Sequence, residues 1–370
     1  MTARSRFVSR GPLALAVLVA LGLVTSVAGS ATAGGYVRAD LVSDLPGAAR
    51  TDANLVNAWG IGFAPGGPFW VADNGTGVVT IYRGNSRPVP SPDAPLVVTV
   101  PPPPGGTGAA TPTGVVFNDT AAFALAPGKP ARFLFATEDG TISGWNPDVS
   151  MTNAVLEVDR SPGAAYKGLT RLGSQLFAAN FRANSVDVFN GDFSLAGSFT
   201  DTTVPAGFAP FGIQNLGGAL FVTFAKQDDA KHDDVRGPGN GYVDVFNPDT
   251  HAFTRLVSGG AADSPLNSPW GMALAPGGFG PVSGDLLVGN FGDGHINAFH
   301  LGTGAFDGPL TTPNGDPLAI EGLWGLAFGL DPREPRHPFL FFTAGIQDES
   351  HGLFGRIDYV LRRFVPHRLG

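Results

Sequence analysis

The chain has 370 residues, of which 53 are glycine, 32 are proline and none is cysteine, and its formal net charge is −8. Without disulfides it must be held together by its core alone, and the length is ample for a large one. The acidic balance excludes nucleic acid as a partner, because that affinity rests on neutralising phosphates with lysine and arginine.

In chain order, the first element reads as an export signal. Arg4, Arg6 and Arg10 form a basic start without acidic residues, and Gly11 to Val27 is apolar. Ala31-Thr32-Ala33 then matches the small-x-small pattern of a signal peptidase site. The competing reading is a membrane anchor, but the stretch is rich in alanine and glycine and the cleavage pattern follows at once. Residues 1–33 are therefore read as a signal peptide, and 34–370 as one secreted, extracellular domain. No later segment approaches about eighteen consecutive apolar residues, so no membrane span is expected after cleavage. The C-terminal run Arg362-Arg363-Phe364-Val365-Pro366-His367-Arg368 carries no apolar sorting tail.

A repeat fills the remainder. Six times a glycine opens a short strand: Trp59-Gly60-Ile61, Thr113-Gly114-Val115, Lys167-Gly168-Leu169, Phe211-Gly212-Ile213, Trp270-Gly271-Met272 and Trp324-Gly325-Leu326. The steps between these glycines are 54, 54, 44, 59 and 54 residues. An apolar run follows each, from Phe69-Trp70-Val71-Ala72 in the first unit to Phe339-Leu340-Phe341-Phe342 in the last. A third run alternates apolar, polar, apolar and aromatic, as in Val79-Thr80-Ile81-Tyr82, Val186-Asp187-Val188-Phe189 and Val243-Asp244-Val245-Phe246. That period of two is a strand with one face more deeply buried. A weaker fourth run closes most units, for example Leu96 to Val100 and Phe253 to Val257.

Four strands in each of six units predicts an all-β, single six-bladed β-propeller. Each sheet is apolar on both faces and cannot fold alone, so it packs between neighbours around an axis. At the axis the inner strands crowd, and glycine permits close backbone approach. The sixth unit lacks a fourth run after Tyr359, and Tyr36 to Val42 lies ahead of the first unit without a partner. The N-terminal segment is expected to supply the outer strand of the last blade and close the ring, removing an open edge.

Several segments carry a likeness to known proteins. Asn57-Ala58-Trp59-Gly60-Ile61, Trp70 to Gly77, Lys226-Gln227-Asp228 through Gly241 to Phe246, Asn290-Phe291-Gly292-Asp293-Gly294 and His351-Gly352-Leu353-Phe354-Gly355 resemble an uncharacterised family of exported bacterial propellers. Some of its members carry a PEP-CTERM tail, which this chain lacks at Gly370. More distantly, the blade pattern resembles NHL-repeat proteins and metal-dependent gluconolactonase-like propellers. The closer likeness implies a fold and export but no activity.

Candidate chemistry sits after the second strand of each unit, at Asp73-Asn74, Glu138-Asp139, Asn180, Lys226-Gln227 and Asn290, with Gln347-Asp348-Glu349 slightly later. Asparagine and aspartate end strands because they tolerate left-handed turns and bond their own backbone. The other reading is a ring of oxygens around calcium at the channel mouth. Lactonase-like propellers use such residues at comparable places, and by that similarity Asn74, Glu138, Asn180 and Asn290 are the expected metal ligands.

The loop Lys226 to Gly241, crowded with Asp228, Asp229, Lys231, His232, Asp233, Asp234 and Arg236, is expected to overhang the mouth; charged loops are often only solvated, but loops on rigid scaffolds carry function. His232 is a candidate base or ligand there, and His351 with Glu349 a candidate acid/base pair, although lone loop histidines are commonly neither. Trp59, Trp270 and Trp324 read as inter-blade core rather than a sugar-stacking platform. No nucleophile elbow, zinc signature, phosphate loop or dinucleotide fingerprint is present. Two functions follow: a binding or scaffold protein taking a small molecule, glycan or extracellular protein at the channel mouth, or a calcium-dependent hydrolase or lactonase.

Overall fold

The computed structural model describes residues 34–331 and 334–361. The expected signal peptide and the arginine-rich end at 362–370 lie outside the described residues. Six antiparallel sheets form the blades of a six-bladed propeller, each running outward from its first strand to its fourth. The inner strands are Ala58–Phe63, Pro112–Phe117, Tyr166–Leu172, Phe208–Leu216, Pro269–Leu274 and Leu323–Asp331. Every one contains its repeat glycine.

These glycines do what the repeat predicted. A Cβ on Gly60 would lie 2.0 Å from the Thr113 carbonyl of the next blade, and one on Gly212 would lie 2.2 Å from that of Trp270. The same holds at Gly271, 2.3 Å from the Trp324 carbonyl. Strand pairing also slips beside the glycine in all six blades, for example between Ala58 and Ile61 and between Pro210 and Ile213. Such bulges bend a strand and re-aim a side chain, here turning the residue before each glycine toward the axis.

Ring closure follows the expected route. Gly34–Ser43 pairs antiparallel with His351–Leu361, the third strand of blade 6. Tyr36 anchors it, buried between Phe279 and Tyr359, with its hydroxyl donating to the Phe279 carbonyl at 2.9 Å.

Apolar clusters fill the spaces between adjacent blades, as where Trp70 stacks on Phe133 at 3.9 Å. The repeat tryptophans are core between blades, as the sequence suggested, but at the hub rather than along the blade faces. Trp59, Trp324 and Trp270 join Phe181, Phe211 and Phe291 in a cluster at the hub, with Trp59 stacked on Trp324 at 3.8 Å. The bulge turns them inward. Most polar residues of the third strands are buried too, and some of them tie down their own blade or the segment that leads into it. Asp187 accepts hydrogen bonds from Tyr166, Asn180 and Ser185 at 3.0 Å each, and the Asn297 amide donates to the Pro265 carbonyl at 2.9 Å.

Candidate functional site

One backbone hydrogen bond recurs in every blade and sets the register of the hub. At the end of the second strand, an N–H donates to the carbonyl that precedes the inner strand. The donors are Asn74, Glu138, Phe181, Gln227, Phe291 and Gly345. Asn180 and Asn290 each lie one residue earlier, and on a strand one residue is the opposite face.

The expected ligand set therefore divides. Asn74 and Glu138 meet at the hub, where the Asn74 amide donates to Glu138 Oε2 at 2.8 Å. Asn180 points into its own blade: its amide donates to Asp187 at 3.0 Å, and its Oδ1 accepts from the N–H groups of Ala165 and Ala183. Asn290 donates to the Pro265 carbonyl at 2.7 Å and to Asp293 at 3.1 Å. Both are pinning turns, and the hub positions of their blades are held by Phe181 and Phe291. The four residues do not form one donor set.

What assembles at the hub instead is a charged network on an aromatic floor. Lys167, with its side chain only 2% exposed, places Nζ against Glu138 Oε1 and 3.2 Å from Asp233 Oδ1. The same ammonium lies 5.1 Å from the Trp59 ring centroid and 5.9 Å from that of Phe181. Burial alone would push this lysine down, but Glu138 and Asp233 outweigh it and hold the amine above its ordinary value. His232 Nδ1 is 3.0 Å from Asp233. That hydrogen bond raises the imidazole and draws the Asp233 carboxyl far below the usual carboxylate range.

A second branch centres on Asn57. Its amide donates to Glu349 at 2.9 Å and to Asn74 Oδ1 at 3.3 Å, while its Oδ1 accepts from Trp324 Nε1 at 3.1 Å. Burial pushes the Glu349 carboxyl up. Arg236 stands 3.9 Å from Glu349 and 3.8 Å from Asp348, with its guanidinium 4.4 Å above the Phe291 ring. The 227–240 insertion does overhang the hub: from blade 4 it reaches Lys167 in blade 3, Phe291 in blade 5 and Glu349 in blade 6.

The proposed acid/base pair does not meet. His351 turns to Asp44, whose other oxygen accepts the Gly352 N–H at 2.9 Å, so this histidine fastens the N-terminal segment to blade 6. At the opposite end of the channel the inner strands enclose a cavity of about 500 Å³, lined by glycine-rich backbone with Thr170, Arg171 and Gln214. Gln214 crosses there to the Met272 N–H at 3.3 Å.

Lys167 and Asn57 escaped the sequence reading, although the repeat held a signal for the first. The residue before the hub glycine is tryptophan in three units and phenylalanine in one; lysine in that column is a charge sent into an aromatic hub.

No family model matches the sequence. Two uncharacterised proteins of Acanthamoeba polyphaga mimivirus are similar along most of it. One is 32% identical, with the match covering 84% of this chain and 76% of the viral protein. The other is 31% identical, over 84% of this chain and 82% of its own length. These relatives are viral, where the sequence suggested a bacterial family. Among solved structures, a luciferin-regenerating enzyme superposes with a TM-score of 0.50 at 14% identity, over 88% of this chain and 95% of that one. The soluble aldose sugar dehydrogenase of Escherichia coli gives 0.50 at 12%, over 87% and 99%. At such identities the likeness is of fold alone.

Proposed function

Because the chain belongs to the same family as these uncharacterised mimivirus proteins, whose names assign no activity, we propose from its own geometry that it is a binding propeller. In this reading it is exported and takes a small polar molecule, or a polar group of a glycan or protein, at the hub mouth beneath the 227–240 loop. The observation that carries the reading is convergence. Asp233, Arg236, His232 and Glu349 gather over an aromatic floor at the meeting point of four blades, yet each keeps roughly a third or more of its side chain exposed. Half-exposed charges contribute little to stability, and convergent polar groups above apolar walls suit recognition.

Trp59, Trp270 and Trp324 lie directly below and serve as reporters. Titration with a panel of sugar acids, lactones and amino acids is expected to give a saturable change in tryptophan fluorescence with at least one class. Arg236→Gln should weaken it about tenfold or more, the loss of one charge-assisted hydrogen bond. A panel without response, or a response indifferent to Arg236, overturns the reading.

The competing reading, a calcium-dependent hydrolase or lactonase, has one observation in its favour. Glu138, His232 and Asp233 offer ligand atoms within 4.8 Å of one another. Calcium-dependent turnover of a lactone would establish it.

A further inference from the structure

The space those three residues surround already holds a positive charge. We infer that the Lys167 ammonium is the resident cation of the hub, tethered to the chain, and that it takes the place of a divalent metal among Glu138, Asp233 and His232. Hub mouths of this acidic kind suit a hard cation bound by oxygens, but the donors here are spent differently. Glu138 Oε1 meets Nζ and its Oε2 accepts from Asn74, while Asp233 Oδ1 is shared between Nζ and the imidazole. Two aromatic faces, Trp59 and Phe181, border the ammonium. Such faces favour an organic cation through their quadrupoles and offer a metal no ligand. A divalent ion placed here would either collide with Nζ or lie beside an uncompensated like charge.

The geometry makes two commitments. The native protein has no metal requirement at the hub, and truncating Lys167 uncovers two carboxylates and an imidazole with the spacing of a metal site. Both hold whether or not a ligand docks above, since the inference needs only the contacts of Nζ.

The test measures uptake of metal alone. Wild type and Lys167→Met are dialysed against EDTA and then against CaCl2, MnCl2 or ZnCl2, with bound metal counted and thermal unfolding followed. Wild type is expected to take up no metal at the hub, and its midpoint should not move with EDTA or metal. Lys167→Met should unfold earlier without metal, bind one equivalent of at least one of the three ions, and recover about 5 °C when the ion is at a hundred times its Kd. Adding Glu138→Gln to it should abolish that uptake.

One equivalent bound to wild type and lost in Glu138→Gln overturns the inference. So does a folded Lys167→Met that binds none. Should that variant fail to fold, Lys167→Gln, which keeps a donor against Glu138, replaces it under the same two criteria. Fluorescence binding by wild type is read separately, so failure of the ligand reading and failure of this one are distinguishable.

Discussion

His232 illustrates how a single side chain couples the overhanging loop to solution conditions. Its folded value is raised, chiefly by the hydrogen bond to Asp233. The stability it lends is therefore fully present below about 6.5, the ordinary histidine value, and is lost as pH climbs through the raised one. Because the ring is 38% exposed, solvent screening keeps that contribution below about 1 kcal/mol. Melting curves of wild type and His232→Gln should differ most near pH 6 and converge toward pH 9. Asp244, pushed up to about 7 by burial, titrates in both proteins, so the difference between the curves isolates the histidine. A gap that widens with pH would show that the ring is neutral in the clasp. At this scale the sequence was only partly legible. The crowding of charge in the loop was visible, but partner choice was not: Glu349 and His351, two residues apart, turn to Asn57 and to Asp44 across different elements.

The inner strand is the element on which the architecture turns. A repeat glycine, a register slip and an inward-turned neighbour recur together, and the glycine spacing was readable because it answers a steric demand that does not vary between blades. Gly60→Ala puts a methyl group 2.0 Å from a carbonyl on the next blade, where neither backbone can retreat without shifting a sheet. The expected cost is ~3 kcal/mol, at the upper end for overpacking, read as a lowered denaturant midpoint at unchanged m. Gly66→Ala gives no steric clash, since nothing lies within 4 Å, although its φ of +70° still strains an alanine. If Gly60→Ala proves the milder of the two, crowding at the hub is not what selects glycine. The four expected calcium ligands divide into two pairs on this same scale. Asn74 and Glu138 were aligned with Asn180 and Asn290 by residue type, whereas the recurring backbone hydrogen bond sets the two pairs one residue apart. A repeat read by composition tolerates that slip, and a strand does not.

For the whole molecule, the six-bladed ring was the most legible feature, since periodicity accumulates over six copies while a site depends on a few contacts. The seal was legible for a related reason: one unit lacked a strand and one strand lacked a unit. Removing residues 34–43 strips Tyr36, Leu41 and Val42 from the interior, all at most 6% exposed. At ~2 kcal/mol for each buried apolar side chain, the loss is about 6 kcal/mol before the exposed edge of blade 6 is counted. Unfolding should become less cooperative, and the truncated chain should associate through that edge on size-exclusion chromatography. A monomer that melts like the intact protein would mean the ring holds without its latch.

The pairing of Gly34–Ser43 with His351–Leu361 also orders events in time. Among the described strands, the one translated earliest must wait for the one translated last, so five blades can gather while the circle stays ajar. Until the ribosome has delivered the final sheet, anything that captures the nascent N-terminal segment keeps the molecule from locking.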